Sequence, residues 1–375
     1  MKTRVLAVCI AAAYAYAGFA SAQTAPAAPA APSLGAVLAA TPGLSITGYV
    51  ASTYTHFDTT SPLLRAFDTS QNGFKLNQAA VTLAYLPTSG AGAQVTAIAG
   101  SDAKILRQGE TWPFNTTASQ FDLNNAFVQY ATGPLTVMAG KFSTLAGAEV
   151  VNPAADNEIS RSLLFWDMEP GTHTGVRAAY AVSGALTLTA GVNNGWNFTS
   201  SPAGTAKTIE LGASGSPNKM FSYSGAFYSG QSPLFGGSPN GTLQLLDLVG
   251  TLNATDALNF VANVDILSKD DYLGVGTGKG KANGLALYAN YSLTDQWTLS
   301  ARGEYVDDKD GIVSGTNGTS NKLKELTLAV NYAPVKNLKL SVEARQDKSD
   351  VAIFTKNGAS ANNQTSLELQ GIYSF

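Results

Sequence analysis

Hydrophobic and polar residues alternate along most of this chain with a period of two. The final segment shows it plainly: Leu367, Leu369, Tyr373 and Phe375 fall on one side, and Ser366, Glu368 and Gln370 on the other. Successive side chains of a β-strand point to opposite faces, so this is a strand with one apolar and one polar face. The division recurs at Leu258, Phe260, Ala262 and Val264 against Asn259, Asn263 and Asp265. It recurs again where Trp297, Leu299, Ala301 and Tyr305 oppose Thr298, Ser300, Arg302 and Glu304. Leu338, Leu340, Val342 and Ala344 likewise oppose Lys339, Ser341, Glu343 and Arg345. The period predicts sixteen strands, near 44–55, 74–86, 93–102, 121–131, 134–143, 172–182, 185–195, 207–214, 219–229, 243–252, 257–267, 282–292, 296–306, 323–333, 337–347 and 366–375.

The connections have their own rhythm. Seven are short and rich in Gly, Pro, Asn and Asp, the residues of tight turns. Eight are long, roughly eleven to 28 residues, and the two kinds alternate strictly. An even number of antiparallel strands follows, with turns at one rim and loops at the other. Strands of about ten residues in that rhythm predict an all-β fold: a transmembrane antiparallel β-barrel of about 16 strands, with short periplasmic turns and long outer loops. The fourth and fifth segments have no cleanly apolar face, so counts from about 14 to 18 stay open. Lipid offers the backbone no hydrogen bonds, so a closed sheet with its apolar face outward is the solution that lipid permits. The polar face then lines the inside. Eight strands enclose a lumen that side chains fill, whereas about sixteen leave an aqueous channel.

That inner face is predicted to carry Gln78, Arg177, Asn193, Glu210, Asp247, Asn263, Asp265, Arg302, Glu304, Glu325, Glu343, Arg345 and Glu368. His173 joins the lumen wall, on the same face as Arg177 four residues on. Charges at membrane depth require water or partners. Acids outnumber bases, which tilts the expectation toward weak cation preference. Charged residues make up only 13% of the chain, and no interior linker or amphipathic period-3.6 stretch interrupts residues 44–375. One large barrel domain is the simplest organisation.

The ends fit an exported protein. Lys2 and Arg4 precede an apolar, Ala-rich run from Val5 to Phe19, and Ala20-Ser21-Ala22 is a small-x-small cleavage site, so residues 1–22 read as a signal peptide. The run is too short for a membrane helix. Residues 23–43 form an Ala/Pro-rich periplasmic lead-in that cannot bury a core; Leu34 to Ala40 could instead make a helical turn or two that enters the pore. The expected location is the outer membrane of a Gram-negative-type bacterium. The one cysteine, Cys9, leaves with the signal, so the mature chain has no disulfide and no thiolate site. The formal charge of −3 becomes more negative once Lys2 and Arg4 are gone, which argues against nucleic acid.

The longest connection, 144–172, has its own motifs: Gly147-Ala148-Glu149-Val150, Ser160-Arg161-Ser162-Leu163-Leu164-Phe165 and Glu169-Pro170. Gly140-Lys141-Phe142 precedes it, and His173-Thr174-Gly175-Val176-Arg177 and Asn193-Asn194-Gly195-Trp196 follow. From about 121 to 198 these residues resemble the β-barrel porin-2, or OmpL-like, family of outer-membrane porins; elsewhere the likeness is architectural. The run Thr144-Leu145-Ala146 lacks the Pro common after that Thr, and Ile159 stands where the family often has an aromatic. The resemblance implies an outer-membrane barrel that passes small solutes, with no defined substrate. In barrels of this size a long loop can fold inward. Glu149, Asp156, Glu158 and Arg161 are then the candidate constriction residues, with opposed charges across the channel. Asp167 and Glu169 add charge to the same loop. The alternative is an outward loop whose charges meet lipopolysaccharide or solvent, and Arg161 could equally pin the loop to the wall.

Catalytic and cofactor chemistry finds little support. The only histidines are His56 and His173, and no Gly-x-Ser-x-Gly elbow accompanies them. Asp307-Asp308-Lys309-Asp310-Gly311 lacks calcium-loop spacing and reads as a solvated loop. Gly274 to Gly280 has the wrong spacing for a phosphate loop. The expectation is therefore no enzyme, no cofactor and no metal. The expected function is a porin that lets small hydrophilic solutes or ions diffuse passively, narrowed by the 144–172 loop. Its partners would be outer-membrane lipid, lipopolysaccharide and those solutes, with a homo-oligomer by analogy to large porins. The rival is a structural or adhesive barrel with a closed lumen and partner-binding outer loops.

Overall fold

A computed structural model describes residues 40–110, 119–202, 204–236 and 238–375. Residues 1–22, expected to be a signal peptide, and almost all of the expected lead-in at 23–43 lie outside the described residues. From Leu44 onward the chain is nearly all strand: β1 Leu44–Phe57, β2 Asn72–Tyr85, β3 Gly90–Ala99, β4 Phe121–Thr132, β5 Leu135–Ser143, β6 Thr172–Ser183, β7 Leu186–Asn193, β8 Thr208–Gly215 and β9 Phe221–Gln231. The second half adds β10 Thr242–Asn253, β11 Leu258–Asp270, β12 Lys279–Ser292, β13 Trp297–Asp308, β14 Asn321–Val335 and β15 Leu338–Ser349. A small hairpin, β16 Phe354–Lys356 and β17 Ala359–Ala361, sits in the last long loop before β18 Asn363–Ser374. Each of the sixteen predicted strands is present, including the weakly patterned β4 and β5.

Every barrel strand pairs antiparallel with its sequence neighbour, and β18 pairs with β1 to close the sheet. The seam is zipped to its last residue: the Gly48 amide donates to the Phe375 carbonyl at 2.9 Å, and the Phe375 amide donates to the Gly48 carbonyl at 2.9 Å. Closure leaves no edge strand, which is what lipid requires.

Burial is inverted relative to a soluble protein. On β14, Leu326 and Leu328 are 57% and 58% exposed, whereas Glu325 and Thr327 beside them are 5% and 0% exposed. All thirteen side chains predicted to face the lumen are buried. The outward apolar surface awaits lipid, and Trp297 stacks on Tyr332 at 4.4 Å on that surface.

Two helices depart from the sequence expectation. α1, Ser101–Gly109, lies in the loop after β3, and α2, Leu163–Asp167, lies within the long loop after β5. α1 is hard to read because it is short: its apolar side is only Ala103, Ile105 and Leu106, and its other buried position is Asp102. No helix among the described residues is long and apolar enough to cross a membrane.

Candidate functional site

The segment 144–171 crosses the barrel interior, and its contacts trace the path. Near its start the Leu145 amide donates to the Tyr228 hydroxyl on β9 at 2.8 Å, and the Ala148 amide to Asn263 on β11 at 2.7 Å. The Val151 carbonyl then accepts from Gln78 on β2 at 3.0 Å. Lys339 on β15 donates to the carbonyls of Pro153 and Asp156 at 3.1 and 2.6 Å. Asn331 on β14 reaches the Asn157 carbonyl at 2.9 Å. One loop therefore touches strands from opposite arcs of the wall.

Its firmest hold is on the inner face of β13, β14 and β15. Glu343 accepts from the amides of Ile159 and Ser160 at 2.5 and 3.1 Å. Glu304 accepts from the Leu163 amide at 2.9 and 3.0 Å, satisfying a free donor at the start of α2. Ser162 caps the same helix, its hydroxyl accepting from the Phe165 amide at 3.0 Å. Arg302 ties loop to wall: one nitrogen meets Glu149 at 2.6 Å and the Ser160 carbonyl at 2.9 Å, while the guanidinium also pairs with Glu325 at 3.2 Å. Arg345 donates to the Arg161 carbonyl at 2.5 Å and pairs with Asp347 at 2.8 Å. Glu304 stands directly opposite Glu325 in the register, and Glu343 opposite Glu368. Like charges at such positions repel, and Arg302, Arg345 and Arg65 offset them.

Apolar packing completes the seal. Leu163, Leu164 and Met168 join a buried cluster with Tyr228, Leu245, Ala286 and Tyr288 on the inner faces of β9, β10 and β12. Gly284 on β12 makes room for it: a Cβ there would lie 2.7 Å from Leu164 Cδ1 and 2.9 Å from Met168 Sδ.

The predicted site residues divide into groups. Glu149, Arg302, Glu304, Glu343 and Arg345 form the loop-to-wall clamp just described. Arg161 does not present its charge to open water. It is 2% exposed, and its guanidinium donates to the carbonyls of Val150, Ile159 and Val151 at 2.8, 3.1 and 3.3 Å. It pairs with Asp156 at 3.0 Å and lies over the rings of Phe67 and Phe165. It braces the loop against itself. Glu158 is buried with one oxygen unpartnered, and burial pushes its carboxyl up to about 8. Burial likewise lifts Asp156 to about 7, against the pull of Arg161.

Arg177 grips Glu210 with two nitrogens at 2.6 and 3.0 Å and covers the Phe142 ring at 4.2 Å. His173 stacks on Tyr228 at 4.8 Å, and its Nδ1 meets the Gly195 carbonyl at 3.1 Å. Its Nε2 has no hydrogen-bond partner, so no hydroxyl is held there for activation as a nucleophile. Asp265 belongs to neither clamp and has no basic partner among the described residues.

Sequence reasoning missed the contribution of the other long loops. Arg65, between β1 and β2, turns inward and pairs with Asp68, Asp347 and Glu368 at 2.6, 2.8 and 3.6 Å. In the loop after β3, Glu110 pairs with Lys141, which also meets Asp122 at 3.1 Å. An arginine beside apolar Leu63, Leu64, Ala66 and Phe67 was the available signal for Arg65. The acidic run Asp307 to Gly311 also behaves differently from the solvated loop expected. Asp307 and Asp308 end β13, and buried Asp308 receives the amides of Val313 and Ser314 at 3.2 and 2.8 Å, organising its own loop.

A closed sixteen-stranded barrel, polar within and apolar without, crossed by one long loop, is the architecture of an outer-membrane porin. The chain belongs to the family described as "Putative beta-barrel porin-2, OmpL-like", which matches residues 43–375. Solved structures share the fold. The outer-membrane channel DcaP of Acinetobacter baumannii aligns with a TM-score of 0.59 at 14% identity, covering 88% of this chain and 97% of that one. An anion-selective porin from Comamonas acidovorans aligns with a TM-score of 0.59 at 12% identity, covering 88% and 99%. A loop-deletion mutant of OmpT from Vibrio cholerae aligns with a TM-score of 0.60 at 11% identity, covering 88% and 99%. No curated protein matches the chain.

Proposed function

We propose that this protein is an outer-membrane porin through which small hydrophilic solutes or ions diffuse passively, with the 144–172 loop as the constriction. The observation that carries this is the path of the loop, held to β2, β9, β11, β13, β14 and β15 by hydrogen bonds from within. Glu149, Glu304, Glu343, Arg302 and Arg345 fix its position, and Arg161 and Asp156 fix its shape. The opposite arc offers uncharged polar side chains that stay partly exposed, among them Gln94, Gln129, Thr136, Thr187 and Thr189. Solutes pass along that arc, and because most lumen charges are paired, discrimination by charge is weak. Family membership supports an outer-membrane location, and the name of a relative in the fold, an OmpT trimer form, favours a homo-oligomer.

The closed structural barrel draws support from one observation: the lumen charges are almost all buried. Single-channel conductance of refolded residues 23–375 in a planar bilayer separates the two. Discrete current steps, enlarged on deletion of 148–168, support the porin. A folded barrel that gives no steps, with or without the loop, overturns it in favour of the closed barrel.

A further inference from the structure

One cluster inside the barrel is not explained by passive diffusion or by the clamp. Asp247 on β10 and Asp265 on β11 stand directly opposite each other in the sheet. Glu169, on the returning leg of the long loop, reaches the same spot, and one oxygen from each of the three lies within 4.8 Å of the others. All three are buried, at 0%, 0% and 6% exposure. Facing like charges destabilise a strand pair, and buried ones more so.

Most other acids in this lumen meet bases, and Glu343 is held by the amides of Ile159 and Ser160. Glu210 has Arg177; Glu149, Glu304 and Glu325 have Arg302; Glu368 and Asp347 have Arg65; Asp156 has Arg161. Among the described residues no Lys, Arg or His pairs with Glu169, Asp247 or Asp265. Both oxygens of fully buried Asp265, one of Asp247 and one of Glu169 lack any hydrogen-bond partner. Only neutral donors reach the group: the Asn263 amide meets the other oxygen of Asp247 at 2.7 Å, and the backbone amide of Gly147 also faces Asp247. The surroundings also make room for Glu169. Gly147, at φ +91°, lies so close to its carboxylate that a Cβ would collide with it.

We infer that Glu169, Asp247 and Asp265 bind a divalent cation of the calcium class, which pins the returning leg of the loop to β10 and β11. Calcium takes six to eight oxygen ligands at about 2.4 Å, so two oxygens on one ion lie no more than about 4.8 Å apart. The three carboxylates meet that limit, and water and backbone carbonyls complete such a shell. The absence of nitrogen and sulfur donors disfavours softer metals. The inference concerns the anchoring of the loop and stands whether or not solutes pass.

The test is calcium binding by chelator-stripped residues 23–375, refolded in detergent without lipopolysaccharide, at pH 7.5. Radioactive calcium in equilibrium dialysis should give one ion per chain. Asp265→Asn and Glu169→Gln should each weaken binding at least tenfold, while Asp256→Asn, in a turn, leaves it unchanged. Calcium should raise the unfolding temperature of the wild type but not of Asp265→Asn. In chelator, Asp265→Asn should be at least as stable as the wild type, since it removes repulsion, and this shows that the variant folds. No stoichiometric ion in the wild type, or equal binding by Asp265→Asn, overturns the assignment and leaves protons as the neutralising species.

Discussion

Replacing Arg302 with Met tests the clamp most directly. The substitution keeps an unbranched side chain but removes the charge that faces Glu149, Glu304 and Glu325 at 2.6, 3.5 and 3.2 Å. It also removes the donors to the Ser160 carbonyl and hydroxyl. Every side chain involved is buried. Removing one partner of a buried ion pair strands the other and costs about 3–5 kcal/mol. At about 1.4 kcal/mol per factor of ten, docking of the loop weakens by roughly two to three and a half orders of magnitude. The barrel should survive, because its closure rests on backbone pairing from β1 round to β18. Hydrogen exchange reads the effect at the amides of Ile159, Ser160, Ser162 and Leu163, whose acceptors are Glu343, Glu149 and Glu304. Their exchange should speed up about a hundredfold or more, while amides of β13 and β14 stay protected. A combined Arg302→Met, Glu149→Met variant should recover part of the loss, since it strands fewer charges. Unchanged exchange at these four amides in Arg302→Met would refute the clamp.

Other expectations follow from single contacts. The folded-state carboxyl of Glu158 lies near 8, above its ordinary value, so its contribution to loop docking is present at low pH and is lost as pH rises through about 8. Loop amide protection corrected for intrinsic exchange should therefore fall as pH rises from about 4.5 to about 8 and level off above that, and Glu158→Gln should reduce the fall; a wild-type loop indifferent to pH contradicts this. Gly284→Val pushes a methyl into Leu164 and Met168, and such overpacking costs about 1–3 kcal/mol. Limited proteolysis should then cut within 160–170 in the variant and not in the wild type. His173→Phe keeps the ring stacked on Tyr228 while removing an unpartnered buried nitrogen, so the unfolding temperature should hold or rise; a clear fall would show that the Nδ1 contact to Gly195 matters more.

How much was legible depended on the physics behind each feature. Strand positions were readable because lipid outside and water or polar groups inside impose a strict two-residue alternation, as at Leu326 against Glu325. β4 and β5 were harder because their inner positions are mixed: Asp122 and Lys141 form an ion-paired patch, whereas Phe142 lies under Arg177. The inward faces of Arg302, Glu304, Glu343 and Arg345 followed from the same alternation. Arg65 and α1 were not legible, since loops carry no period and an inward turn is settled by partners distant in sequence. Arg161 was recognisable by its Ser-Arg-Ser setting, but that it braces its own loop depends on carbonyls brought near by folding.

The order of residues alone thus determined a closed antiparallel barrel of about sixteen strands, the side that meets lipid and the long loop that carries the charged motifs. Those properties arise from local alternation and from the backbone's need for partners in lipid, and both are written along the chain. Tertiary structure alone decided that the long loop crosses the lumen, that its charges are spent on a clamp at β13 to β15, and that Glu169 joins Asp247 and Asp265 without a base. Each of these depends on pairs far apart in sequence, such as Glu149 with Arg302, whose interaction exists only once the strands have closed and water has been displaced between them.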